Sequence, residues 1–222
     1  MKTILLSLAI LFAIGLSAQT PATIYEIQGQ ADASPLIGQI IQTTGIITAL
    51  NRDDGFYLQD GTTGWNGVVV YYDGETWTGG TFNVGDAVTV IGKVDEYYEK
   101  TEITDVVSVE VNSSGNIVPA AILLATGSVA DEQYEGMLVK CEDAVCTDTT
   151  SAVGGHGMIM FNDGSGDVII DDNIWSYWTD SEPMPDSTYQ ITGVVDYDFG
   201  DYKILPRDIN DFVIGALGIY DS

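Results

Sequence analysis

The sequence predicts an all-β fold of two tandem OB-like five-stranded Greek-key barrels, and three observations lead there. After the first residues helical periodicity is scarce, and short alternating or β-rich runs bounded by Gly, Asp and Asn recur. The run VGDAVTVIGKVDEYYEKTEI, Val84 to Ile103, aligns without gaps on PDSTYQITGVVDYDFGDYKI, Pro185 to Ile204. Hydrophobic residues make up 45% of the 222, enough apolar material to offset chain entropy despite a strongly acidic charge.

Residues 1–18 read as an export signal. Lys2 supplies a positive start, Ile4 to Leu16 is apolar apart from Ser7 and Gly15, and Ser17 and Ala18 are small enough for cleavage. Cleavage is expected before Gln19 or one residue earlier. The apolar run is too short for a spanning helix, and no later stretch is long and apolar enough. The expected destination is therefore secreted, extracellular or on the outer cell surface, with no membrane insertion.

The first unit is placed at 24–116. In it Val88, Val90 and Val94 alternate with Thr89, Ile91 and Lys93 as a half-buried strand. Gly92 interrupts the apolar face, and a glycine within a strand marks a bulge or a barrel corner. The second unit is placed at 117–212, where Gly193 matches Gly92, Val195 matches Val94 and Asp196 matches Asp95. Gly38-Gln39-Ile40-Ile41 pairs with Gly136-Met137-Leu138-Val139, and Gly55 to Asp60 pairs with Gly157 to Asn162. Val68 to Tyr72 pairs with Val168 to Asp172. Each copy then reads as five strands with a glycine bend, which suits an OB-like barrel better than a seven-stranded sandwich. Residues 213–222 are a tail or linker.

Ile27-Gln28-Gly29, Ser34 to Gly38, Thr44 to Ala49, Gly55 to Asp60 and Tyr134 to Val139 together resemble tandem OB-fold domains of secreted bacterial proteins. Such domains precede the catalytic domain of extracellular nucleases and occur in Bacteroidetes surface proteins. The resemblance implies a domain type more than an activity, and no stretch matches the nuclease catalytic domain. Ala216 to Ile219 resembles the lead-in to a type IX sorting domain.

With 33 acidic and 7 basic residues the net charge is −26. Such a field repels phosphate backbones and anionic membranes and attracts cations and basic partners. No catalytic constellation stands out, so the chain is read as a non-enzyme. His156 is the only histidine and reads as a loop residue. Carboxylate pairs are too common here to single out one for acid–base work. Cys141 and Cys146 would lie on opposite faces of a continuous strand, where no disulfide forms, whereas a bulge between them would permit one.

Asp163-Gly164-Ser165-Gly166-Asp167 followed by Asp171 and Asp172 is the densest set of oxygen ligands, and these four aspartates are the candidate Ca²⁺ site. The alternative is a solvated hairpin turn, for which Asp and Gly are the usual residues. OB barrels bind ligands across their second and third strands and the loops that flank them. That mapping selects Arg52 in the loop Asn51 to Asp54, Tyr57, Trp65, Tyr97 and Tyr98, with Thr147 to Gly155 and Asp198 to Tyr202 as the second-unit equivalents. Aromatic side chains among carboxylates suit a glycan, a basic protein or self-association; single-stranded nucleic acid is disfavoured by charge. Tyr177 and Trp178 with Trp175 read as a cover over a barrel end. The expected function is a secreted non-catalytic binding or structural module. The alternatives are a nucleic-acid-binding accessory module and a calcium-stabilised subunit of an extracellular assembly.

Overall fold

A computed structural model describes residues 19–52, 54–72, 80–149, 157–176 and 183–215. The export signal, Asp53, His156, Tyr177, Trp178, most of the loop from Thr147 to Gly155 and the segment Ala216 to Ile219 lie outside the described residues.

Both units close into five-stranded barrels with the same topology. In the first, β2 (Ile40–Leu50), β3 (Gly55–Gln59) and β4 (Gly67–Tyr71) form an antiparallel meander. β5 (Ala87–Tyr97) returns beside β2, and β6 (Lys100–Ser113) lies between β5 and β4, parallel to β4. In the second, β8 (Leu138–Asp148), β9 (Ile159–Asn162), β10 (Asp167–Ile170), β11 (Thr188–Asp198) and β12 (Asp201–Leu205) repeat every one of these pairings, including the parallel β10 to β12 contact. Full closure leaves no open edge in the ring. A short parallel strand precedes each barrel, β1 (Thr20–Pro21) on β2 and β7 (Ile122–Leu123) on β8. β13 (Phe212–Ile214) adds to β11.

The two glycines at the corner show why the repeat was readable. A Cβ on Gly92 would stand 2.5 Å from the Ile103 side chain, and one on Gly193 would stand 2.5 Å from the Leu205 carbonyl oxygen. Only glycine lets β5 and β11 bend this closely over β6 and β12. Valines at alternate positions then fill the first core: Val88, Val90 and Val94 are buried with Ile24, Ile27, Phe56 and Leu58. The second core packs Phe161, Tyr189 and Phe212 with ring centroids 4.8 to 5.7 Å apart.

Strand register corrects the second block of the repeat by one residue. Leu58 pairs with Val68 as Phe161 pairs with Val168, so Leu58 corresponds to Phe161 and Asp60 to Asp163. A bulge in β8 provides the other offset. Tyr189 lies opposite Ala144 and Ile191 opposite Cys141, with Asp143 at φ 52° between them. The extra residue turns both Cys141 and Cys146 into the core, where they are free thiols. Burial pushes these thiols up to about 12 and about 11, so neither is a nucleophile near neutral pH.

Candidate functional site

The barrels dock face to side. Ala49, Tyr57 and Val69 on β2, β3 and β4 pack against Leu138, Val194 and Leu205 on β8, β11 and β12. Backbones approach closely beside this patch: a Cβ on Gly67 would stand 2.4 Å from the carbonyl carbon of Gly136. Around it, Leu138 N donates to Gln59 Oε1 at 2.9 Å and Arg207 Nη1 to the Thr48 carbonyl at 3.0 Å. Trp65 N donates to the Gln133 carbonyl at 2.7 Å. The strand-two and strand-three face of the first barrel is thus covered by the second barrel.

This seam carries several buried acids. Lys100 Nζ lies 3.1 Å from Asp196 Oδ1, and the Tyr57 hydroxyl donates to the same carboxylate. Thr101 N donates to Glu135 Oε1 at 3.0 Å. Burial raises the Glu135 carboxyl well above its usual range, reinforced by Glu132 and opposed by the Thr101 bond. Burial pushes Glu102 up to about 7; Lys100 works against this, while Asp95, Asp196 and Glu96 add to it.

The five ligand candidates separate. Tyr57 is 1% exposed beneath the second barrel. Trp65 is half-buried at the seam, at φ 71°. Arg52 is exposed and reaches across to the Asp172 carbonyl at 3.1 Å. Tyr97 and Tyr98 alone come together, with ring centroids 4.8 Å apart.

Those two tyrosines sit on a hairpin that has a twin. β5 turns into β6 through Tyr98-Glu99, and β11 into β12 through Phe199-Gly200. Both central residues of both turns have positive φ, as a two-residue type I′ turn requires. The hairpin tips meet across the seam, where the Tyr197 hydroxyl donates to Glu99 Oε2 at 2.8 Å. Between them lies a cleft of about 620 Å³ lined by Tyr97, Tyr98, Glu99, Tyr197, Asp198 and Phe199. Tyr97, Tyr98 and Phe199 are 58%, 78% and 90% exposed. Beneath Phe199 the ammonium of Lys203 lies 5.9 Å from the ring centroid, itself buried and held by Asp171 at 3.4 Å and Asp198 at 3.9 Å. Sequence mapping reached the first hairpin and the span Asp198 to Tyr202, but gave no reason for the two to form one cleft. A second concavity of about 430 Å³ touches Gln59 and Asp60, whose side chains already hold Leu138 N and Ile24 N.

The four candidate calcium ligands do not converge. Asp163 accepts from Thr126 N at 3.0 Å, Thr126 Oγ1 at 2.8 Å and Ser165 N at 2.9 Å. Burial opposes its charge, but the bonds from Ser165 and Thr126 outweigh it and hold the carboxyl well below its usual range. Asp60 does the same work in the first barrel, accepting from Ile24 N at 3.0 Å at the start of α1 (Ile24–Gln28). Asp167 accepts from Asn162 at 2.7 Å, Asp171 pairs with Lys203, and Asp172 accepts from Ser176 at 3.3 Å. Among the described residues no group of three or more acids, histidines or cysteines is placed to hold a metal ion.

No family model matches the chain, and no curated protein matches it. Two of the solved structures similar to this chain superpose on it poorly. One is the hypothetical protein ygiW of E. coli, 20% identical with a TM-score of 0.33, covering 42% of this chain and 97% of its own. The other is a multidomain protein with nucleic acid binding domains from Streptococcus pneumoniae, 12% identical with a TM-score of 0.25, covering 77% of this chain. This chain spans 46% of that second protein. The OB-like assignment rests on the strand order and parallel pairings above. No described helix is long and apolar enough to cross a membrane.

Proposed function

We propose that this chain is a secreted, non-catalytic binding module whose ligand site is the cleft between the twin hairpins. The observation that carries the reading is the meeting of two equivalent turns with large aromatic side chains left open to solvent. Exposed aromatics grouped in a concavity favour a ligand, because folding alone gains nothing from leaving them in water. The acidic cleft wall, Glu99 and Asp198, favours a partner without phosphate groups.

The resemblance to OB domains that accompany extracellular nucleases supports a second reading, an accessory module for single-stranded nucleic acid. Against it stands the use of the basic side chains. Lys93, Lys100, Lys140, Lys203 and Arg207 each pair with a carboxylate, and Arg52 donates to a backbone carbonyl. A stacking groove for nucleic acid needs free positive charge along it.

The two readings part in one titration of ¹⁵N-labelled protein with a neutral oligosaccharide, a basic peptide and a single-stranded oligonucleotide. A peptide or sugar that shifts residues 97–99 and 197–200 together supports the cleft. Salt-sensitive binding of the oligonucleotide favours the accessory module, and shifts by the sugar or peptide confined to other surfaces contradict the cleft assignment.

A further inference from the structure

We infer that the twin-hairpin cleft receives the cationic side chain of a basic peptide, with the aromatic rings as its walls and Glu99 and Asp198 as its counter-charges. This rests on the binding-module reading and names its ligand class. Three observations support it independently of that reading.

The cleft's chemistry is one-sided. Its walls carry four aromatic rings and two carboxylates, and no basic side chain. The face of an aromatic ring is electronegative and attracts an ammonium or guanidinium within about 6 Å of its centroid. The molecule already makes this contact once: the Lys203 ammonium lies 5.9 Å from the Phe199 centroid while that residue is 90% exposed overall.

The turns also hold side chains that their backbone does not favour. Tyr98 and Glu99 adopt φ 49° and 72°, and Phe199 adopts φ 53°. Asn and Gly occupy such positions at little cost, whereas a bulky side chain there is strained. Both hairpins nevertheless place an aromatic residue at the first turn position, and both rings are exposed. Each ring keeps one contact inside the molecule, Tyr98 with Tyr97 at 4.8 Å and Phe199 with the Lys203 ammonium at 5.9 Å, and strain retained at rings otherwise left to solvent is what a ligand contact would explain.

The surrounding field has the matching sign. The chain carries a net charge of −26, and its described basic side chains are engaged within the molecule. A cationic peptide is drawn towards such a surface, and steering of this kind weakens as salt rises.

The test uses a blocked peptide, acetyl-Gly-Arg-Gly-Arg-Gly-amide, its citrulline counterpart and cellohexaose, titrated into the whole secreted chain. Tyr98→Asn and Phe199→Asn remove the rings without changing charge, and both fit the turn, so the melting temperature should hold or rise. The arginine peptide is expected to shift residues 97–99 and 197–200, to bind about tenfold more tightly than the citrulline peptide, and to lose about tenfold on double substitution. Equal binding of the citrulline peptide overturns the inference, as does unchanged affinity in the double variant, which would mark attraction to net charge alone. Cellohexaose shifting the same residues while the arginine peptide does not would also overturn it, but would leave the binding-module reading standing. Silence of both hairpins towards all three probes counts against both.

Discussion

The two barrels share one topology and use the same face differently. Tyr57 and Val69, paired across β3 and β4, are buried beneath the neighbouring barrel. Their equivalents Met160 and Ile169, paired across β9 and β10, are half-exposed. At the hairpins the registers are the same, yet Glu102 faces Asp95 where Lys203 faces Asp196. The two copies share one barrel architecture, and docking seals this face on the first copy. What remained accessible in both copies was the pair of hairpin tips, and their juxtaposition makes a cleft that neither barrel has alone.

The largest break in this comparison should come from the seam. Gly136 sits at φ 71° with Val68 N 2.6 Å from its missing Cβ, so Gly136→Ala should cost about 3 kcal/mol or more, read as a melting temperature lower by roughly 6–12 °C. Gly38→Ala, at φ 79° with nothing within 4 Å, should cost only the backbone strain, about 1 kcal/mol. Equal losses at both sites would mean that close docking of the barrels is not what Gly136 serves.

Proton linkage gives the next effect. Glu102 and Glu135 are raised in the folded chain above the ordinary 4.5, so the folded form binds more protons than the unfolded form above that value. Their contribution is fully present below 4.5 and is lost as pH rises through the folded value, about 7 for Glu102. Melting should therefore fall by a few degrees between about pH 5 and about pH 8, and Glu102→Gln should flatten the slope. A slope unchanged by that substitution would remove Glu102 from the account.

Smaller and paired effects are expected at the two turn caps. Asp60→Ala and Asp163→Ala should each cost about 1–2 kcal/mol by chemical denaturation, since each frees a backbone donor at the segment leading into its barrel. Added calcium should leave the melting temperature unchanged, because Asp163 already accepts from Thr126 and Ser165. A calcium-dependent rise abolished by Asp163→Ala would restore the cation reading of that loop.

Sequence carried the fold well where the physics is local. Valines at alternate positions around Gly92, and the matching run around Gly193, specify a bent strand whose corner admits no side chain. The one-residue error at Gly55 to Asp60 arose because apolar residues run through both blocks without a break. Only the β8 bulge and the strand register show that Asp163 is the counterpart of Asp60. The site was partly legible. Tyr97 and Tyr98 could be read from their hairpin, but the burial of Tyr57 depends on apolar patches of two barrels finding each other, and no local pattern encodes that.

The most direct test of the central claim is a double-mutant cycle on Tyr98 and Phe199, read as affinity for the arginine peptide. If the two hairpins form one cleft, each Asn substitution alone should weaken binding by about tenfold, and the pair should lose clearly less than the product of the two. Losses that multiply, or a loss confined to one hairpin, would contradict a single shared site.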